Sequence, residues 1–236
     1  SLHTVAVGER QRAMRDEVLS IRPDVAPGER CVYSDISFLL LGFALEEATG
    51  LPLDQAVSRW VWNPLGIEGA YYSRTTRDPS KIDPEVAATE RCPWRGGVLQ
   101  GQVHDDNCWS MGGYAGHAGA FGTISSVLRF GAQCLSGAFS EAVQQKMWSR
   151  PPRPADCRRT LGWDMPSGEL PSIGRRFSQE SVGHLGFTGT SLWIDRSRGL
   201  AVSLLSNRVH PSRDNQAIRQ LRPRFHDALA EDLGIR

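Results

Sequence analysis

Between Glu9 and Ile21 the apolar positions Met14, Val18 and Ile21 recur every three to four residues among charged ones, which predicts a helix that Pro23 stops. After a loop marked by Pro27-Gly28, the run from Ile36 to Thr49 is apolar on all sides. Such a run predicts a buried helix with Ser34 or Asp35 as its N-cap and Gly50 just past its end. A second helix is expected from about Leu53 to Trp62, with Leu53, Val57, Trp60 and Val61 inward and Asn63-Pro64-Leu65-Gly66 ending it. The pair makes a helical hairpin.

From Tyr71 to about Gly122 the periodicity is lost and Gly, Pro, Asp and Arg accumulate. Irregular stretches of that length inside a compact domain usually serve function. Thr123 then caps a helix with Ile124, Val127, Leu128 and Leu135 on one face, and a shorter helix follows Ser140 with Val143 and Met147 one turn apart. Phe187 to Asp195 and Gly199 to Ser206 read as strands joined by the turn Asp195-Arg196-Ser197-Arg198-Gly199. The end, from about Asn215 to Leu233, is helical by Ile218, Leu221, Phe225, Ala228 and Leu229, and Pro223 predicts a kink or a restart there.

This order predicts an α+β fold of the α/β-sandwich kind, an antiparallel sheet flanked by helices plus a helical lobe. One domain is expected over 1–236, with a mainly helical lobe over 30–150 and the sheet strands and terminal helix over 160–236. Two strands alone do not make a stable sheet. Partner strands are therefore expected from the loop regions or from residues preceding Ser1.

Composition narrows the function. The 236 residues carry 27 Lys and Arg against 26 Asp and Glu, a net charge near +1, so there is no bulk positive field with which to neutralise nucleic-acid phosphates. A small or uncharged substrate fits better. Only Lys81 and Lys146 are lysine, so a mechanism that needs a deprotonated lysine has two candidates. The longest apolar stretch, Ile36 to Leu45, is too short and interrupted to span a bilayer. Ser1 is followed by no charged-then-apolar signal pattern, which reads as a chain processed or cut from a longer one. Cys31, Cys92, Cys108, Cys134 and Cys157 include no C-x-x-C pair and fit neither a complete disulfide framework nor a metal spacing, leaving the redox compartment open.

Three segments could carry chemistry. Tyr33-Ser34-Asp35 stands at the mouth of the apolar helix, where the partial positive charge of a helix N-terminus favours an ionised Tyr hydroxyl acting as a base. A core tyrosine beside a capping Asp is the plainer reading. Gly183-His184-Leu185-Gly186-Phe187-Thr188-Gly189-Thr190 leads into a strand. Its glycines allow close approach of backbone to a ligand, and a strand-edge N–H can act as an oxyanion donor. The alternative is a glycine-marked bulge with an incidental His. Third, His104-Asp105-Asp106-Asn107 and Gly112-Gly113-Tyr114-Ala115-Gly116-His117-Ala118-Gly119 bring two His and two Asp together, without a fixed metal-ligand register. A polar hydrogen-bonded loop is preferred there, with no metal and no cofactor expected.

Together these segments resemble the class C β-lactamase and penicillin-binding-protein-like serine hydrolases. Tyr33-Ser34-Asp35, the apolar helix closed by Thr49-Gly50, and Asn63-Pro64-Leu65-Gly66-Ile67 are similar to that family's second motif, Tyr-Ser-Asn or Tyr-Ser-Asp, and its flank. His184-Leu185-Gly186 looks like its third motif, Lys-Thr-Gly in the lactamases and often His-x-Gly in esterase-like members. The strand pair after it and the stretch from Gly116 to Phe130, with Ser126 where an Asp is common, are similar as well.

The resemblance implies an acyl-enzyme mechanism in which a serine attacks an acyl carbonyl and a lysine three residues on activates it. By position, Tyr33 is the base or proton relay, Asp35 orients lysine and substrate, and His184 replaces the third-motif lysine. The Phe187 N–H is one oxyanion donor, and Gly186, Thr188 and His117 line the substrate cleft. The chain departs from the family in one respect: Asp78 precedes Lys81 by three and Val143 precedes Lys146 by three, so no Ser-x-x-Lys is present. That motif is expected before Ser1, and the chain alone is expected to be inactive. The predicted partner is a small ester, amide or peptidoglycan-like substrate, with no nucleic acid. By resemblance a cell-envelope location is implied. Two further readings stand beside this one: a non-catalytic binding or scaffold protein of the same fold, and a metal-dependent hydrolase using His104, Asp105 and His117.

Overall fold

A computed structural model describes residues 5–74 and 85–235. The chain divides into two compact units, one of residues 1–26 and 32–123, the other of residues 27–31 and 124–236.

In the first unit, α1 (Val7–Ser20) packs on α2 (Asp35–Thr49) around Val18, Leu39, Phe43, Cys108, Trp109 and Met111, with Met14 and Ile36 against them. Ser34 is the N-cap of α2, and Gly50 closes the helix in the left-handed conformation at φ 65°. The buried face is narrower than the run of apolar residues suggests. Leu39, Gly42 and Phe43 are buried, whereas Leu41 is 58% exposed and Leu45 is exposed as well. Ile21 is also exposed, one residue beyond the end of α1.

α3 (Leu53–Val57) continues into a π-helical turn over Ser58–Trp62, and that wider turn leaves Trp60 exposed rather than inward. The irregular region holds short pieces that sequence periodicity cannot reveal. β1 (Tyr71–Tyr72), β2 (Arg91–Cys92), β3 (Gly97–Val98), α4 (Asp106–Ser110) and β4 (Ala120–Phe121) follow in order, with β1 pairing β4 and β2 pairing β3.

In the second unit, α5 (Ile124–Leu135) and α6 (Glu141–Trp148) precede a five-stranded antiparallel sheet. Ser140 accepts the Val143 N–H and so caps α6. The strands are β5 (Arg159–Thr160), β6 (Trp163–Asp164), β7 (Val182–Leu185), β8 (Ser191–Asp195) and β9 (Leu200–Leu204), in spatial order β5-β6-β7-β8-β9. α7 (Ile218–Asp232) ends the unit.

Leu192 and Ile194 join the cluster that Val127, Leu135 and Met147 bring from α5 and α6. Trp193 and Val202 meet Ala230, Phe225 and Leu229 of α7. Both faces of β8 are covered, which is why Ser191–Asp195 is buried throughout and its three central residues, Leu192, Trp193 and Ile194, are all apolar.

Three expectations change here. Residues 187–190 are turn rather than strand, while the strand Val182–Leu185 is one of the partner strands expected from the loop regions. Pro223 lies inside α7 without restarting it. Ile124 and Leu128 are exposed, and α5 buries Ser126, Gly131 and Cys134 instead, because Gly131 lies close against Ala201 and Leu192. Cys31 and Cys157 form a disulfide, a pairing that the spacing did not indicate, while Cys92, Cys108 and Cys134 are free and buried. Among the described residues no single helix is long and apolar enough to cross a membrane.

Candidate active-site groups

In the first unit the chemistry collects where α2 and α4 begin. Ser34 takes the extended N-cap conformation without a side-chain capping bond, so Asp35 is the first helical residue, and its carboxylate suits the helix dipole. Tyr33, just outside, is 56% exposed. Asp105 is the N-cap of α4, its Oδ1 accepting the Cys108 N–H at 2.7 Å. The same oxygen accepts a hydrogen bond from Nε2 of His117 at 2.9 Å.

Local packing explains how His117 arrives there. A Cβ on Gly116 would stand 1.9 Å from the Phe38 carbonyl oxygen, so only glycine lets this loop lie on α2. The Cys108 thiol holds the next turn by donating to the Ala118 carbonyl at 3.2 Å. The result is a cluster in which Asp35, Asp105 and His117 have ligating atoms within 4.8 Å of one another.

Burial alone would raise the Asp105 pKa. The hydrogen bonds from His117 and the Cys108 N–H, with the charges of His117 and His104, outweigh it and hold the carboxyl below its ordinary range. The His117 side chain is only 3% exposed, and its Nδ1 has no hydrogen-bond partner.

The acidic-histidine quartet is divided among partners. His104 pairs with Glu90 through Nε2 at 2.9 Å, Asp105 takes His117, and Asp106 pairs with Arg95. The hydrogen-bonded loop predominates. Among the described residues the cluster with metal-type donors is Asp35, Asp105 and His117, not His104, Asp105 and His117. Glu90 and Arg95 were not legible in the sequence. Glu90 reaches His104 because the strand edges pair backbone to backbone, Leu99 N–H to Glu90 at 2.9 Å and Thr89 N–H to Leu99 at 2.7 Å.

In the second unit, His184 lies within β7 opposite Leu192 of β8, with its Nδ1 3.1 Å from the Leu185 carbonyl oxygen. The tight turn 186–190 joins the two strands. The Gly186 N–H donates to Thr190 at 2.8 Å and the Gly189 N–H to Gly186 at 3.0 Å. Phe187 at its tip is 58% exposed, and Thr188 beside it is half-buried.

The glycines make room for the protein itself. Added Cβ atoms at Gly183, Gly186 and Gly189 would meet the Trp193 ring at 2.4 Å, Thr190 Oγ1 at 2.0 Å and Ser206 Oγ at 2.3 Å. Arg208 donates through Nε to the Phe187 carbonyl at 2.8 Å, and its guanidinium lies 4.4 Å from the Phe187 ring centre. Arg208 and Arg222 at this turn were not found from the sequence, because nothing in a run of surface-like arginines marks the ones that fold back onto backbone. The arrangement offers an imidazole and an ordered backbone turn beside it, groups suited to proton transfer and to holding a developing oxyanion.

Comparison with known proteins identifies the family and the fold. The sequence model of the family described as Beta-lactamase matches residues 3–224. Proteins named putative D-alanyl-D-alanine carboxypeptidase from Salmonella agona and Salmonella newport are each 32% identical over 205 residues, covering 78% of this chain and 46% of theirs. The chain thus spans about half the length of the curated relatives it matches. Among solved structures, a beta-lactamase from Mycobacterium bovis superposes with a TM-score of 0.62 at 18% identity, over 88% of this chain and 66% of that one. Simvastatin synthase from Aspergillus terreus gives 0.67 at 18%, over 95% and 60%. A penicillin-binding protein homologue from Caulobacter crescentus gives 0.59 at 14%, over 93% and 65%. At these identities the superpositions establish the fold, that of the β-lactamase and penicillin-binding-protein-like proteins.

Proposed function

The chain belongs to the beta-lactamase family, and from that premise we propose that it carries the second and third motifs of a serine hydrolase acting on an ester or amide through an acyl-enzyme. The observation that carries the reading is the family match over 3–224, with Tyr33-Ser34-Asp35 at the start of α2 and His184-Leu185-Gly186 opening the 186–190 turn. On this reading Tyr33 relays the proton of the attacking serine and Asp35 orients the activating lysine and the substrate. His184 stands in for the third-motif lysine, the Phe187 N–H donates to the oxyanion, and Gly186 and Thr188 border the substrate. His117 belongs to the same assignment as a group beside Asp35.

The nucleophile is the gap in this assignment. With Asp78 and Val143 three residues before Lys81 and Lys146, these 236 residues hold no Ser-x-x-Lys. We assign the acylated serine and its lysine to residues outside this sequence, so these residues alone do not turn over substrate. The substrate class is a small ester, amide or peptidoglycan-like molecule. The relatives' name favours a peptidyl amide, whereas His184 in place of lysine favours an uncharged ester, since lysine is a fixed cation suited to a substrate carboxylate.

The test is labelling with a fluorophosphonate and with penicillin, read by mass spectrometry. The 236-residue chain should remain unmodified, and a protein joining these residues to an upstream Ser-x-x-Lys should gain one adduct on that serine. A stable adduct on a serine of the 236-residue chain would overturn the assignment. A second reading is a non-catalytic binding protein of the same fold. That reading predicts reversible ligand binding with no adduct on the longer protein.

A further inference from the structure

Arg222 comes from the second turn of α7, far in sequence from the third motif, yet its Nη2 donates to the Gly186 carbonyl at 3.0 Å and to the Thr190 carbonyl at 2.7 Å. Those carbonyls sit at the two ends of the 186–190 turn, so a single guanidinium nitrogen joins them. The side chain is 7% exposed, and its Nε has no hydrogen-bond partner. Burial, and then the nearby charge of Arg208, pull its pKa down to about 10, still far above neutrality. A buried cation that keeps its charge is costly unless the groups around it hold it, and here the backbone oxygens of one turn do so.

The turn is held at several points. Besides Arg222 it has the Gly186 N–H to Thr190 and Gly189 N–H to Gly186 bonds, the Ser206 hydroxyl on the Gly189 carbonyl at 2.9 Å, and Arg208 on the Phe187 carbonyl at 2.8 Å. Of these bonds, the one from the Gly189 N–H shares the Gly186 carbonyl with Arg222, and the others act on neighbouring peptide planes. The Phe187 N–H belongs to the peptide whose carbonyl is that of Gly186, and that carbonyl is one of the two Arg222 holds. A trans peptide is planar, so fixing the direction of its C=O fixes the direction of its N–H.

We propose that Arg222 is a positioning residue: it sets the plane of the Gly186–Phe187 peptide and thereby aims the Phe187 N–H. What that N–H is aimed at rests on the hydrolase reading above; that Arg222 aims it does not. Arg208 locks the following peptide through the Phe187 carbonyl, and the two arginines hold successive planes of one turn.

The test is residue-resolved amide hydrogen exchange on the 236-residue chain, comparing wild type with Arg222→Met and Arg222→Lys. The Gly186 and Gly189 amides should exchange at least tenfold faster in R222M, while those of Trp193 and Ile194 in the middle of β8 keep their wild-type rates. R222K should fall between, because an ammonium retains the charge and can reach one carbonyl more readily than two. Unchanged turn rates, or an equal acceleration at Trp193 and Ile194, would overturn the proposal, since a merely structural role loosens the whole sheet. Should R222M fail to fold, R222K gives the same local-against-global comparison. In a protein that also carries the serine, R222K should lower kcat about tenfold with little change in KM, and an unchanged kcat would count against a positioning role in the reaction. A wild-type protein of that kind without any hydrolysis would remove the hydrolase reading and leave the exchange result standing.

Discussion

His117 donates from Nε2 to Asp105 at 2.9 Å, and the oxygen that receives this bond is also the cap of α4 through the Cys108 N–H. One carboxylate oxygen thus joins a glycine-bound loop to a helix start. The arrangement ties the position of His117, and with it the surroundings of Asp35, to the integrity of α4.

The two bonds can be separated by substitution. Asn caps helices as well as Asp, whereas Ala does not cap. Asp105→Ala should destabilise the chain by about 2–3 kcal/mol, since it loses the cap and a charge-assisted bond together. Asp105→Asn should cost only about 1 kcal/mol, the charge-assisted part alone. Urea denaturation of the two variants measures this, and equal losses would show that the capping bond contributes nothing.

Asp195 makes a related prediction about acid. Burial alone would raise its pKa, but hydrogen bonds from the Ser178 N–H at 3.0 Å, the Ser197 hydroxyl at 2.7 Å and Arg198 at 2.8 Å, with the Arg198 charge, hold it below the ordinary carboxyl range, as they do for Asp105 with its own partners. A carboxyl depressed in the folded state binds its proton more weakly there than when unfolded. Its stabilisation is therefore complete above the unfolded pKa of about 4 and is lost as pH falls through the lower folded value. The Asp195 share of the urea midpoint, read as the difference between wild type and Asp195→Asn, should be flat from pH 7 to 5 and shrink below about pH 4. An identical acid slope in that variant would remove Asp195 as a source.

What was legible follows from which interactions are local. α2 was found from its own apolar run, its entry at Ser34 and its exit at Gly50, and α6 from the Ser140 cap, since both ends of those bonds lie within a few residues. Tyr33, Asp35 and His184 could be singled out as candidates because the motif order is linear. Arg222, 32 residues from Thr190, and Glu90, 14 from His104, were invisible because their partners are assembled by folding. The exposed face at Leu41 and Leu45 shows the converse error: an apolar run fixes a preference for burial, not the neighbour that provides it.

Cysteine chemistry gives a third measurable outcome. With Cys31 bonded to Cys157, thiol titration of the unfolded, unreduced chain should find three groups, and five after reduction. In the native state the three should react slowly. All are buried, and burial pushes the Cys134 thiol up to about 12 and raises Cys108 further through burial and the Asp105 charge, so little thiolate is present at pH 8. The bond closes a sequence separation of 126, for which loop entropy suggests about 4–5 kcal/mol of stabilisation. A reduced protein as resistant to urea as the oxidised one would refute that share.

The last prediction concerns His184, which lies in β7 immediately before the Gly186 turn where the family's lactamases place lysine. A lysine there is a fixed cation beside the acyl group, whereas a histidine offers ring nitrogens that can donate or accept a hydrogen bond. A fixed cation attracts a substrate carboxylate more than an ester. In a protein that joins these residues to an acylable serine, His184→Lys should therefore raise kcat/KM for penicillins and carboxylate-bearing peptides about tenfold relative to a neutral ester, a shift of about 1.4 kcal/mol in relative transition-state binding. His184→Ala should lower ester turnover by about 10²-fold if the imidazole moves a proton in the rate-limiting step. Side-by-side rates on a p-nitrophenyl ester and a penicillin decide the matter. A ratio unmoved by H184K would mean that the third-motif position does not read substrate charge in this chain, and the ester preference would lose its physical basis.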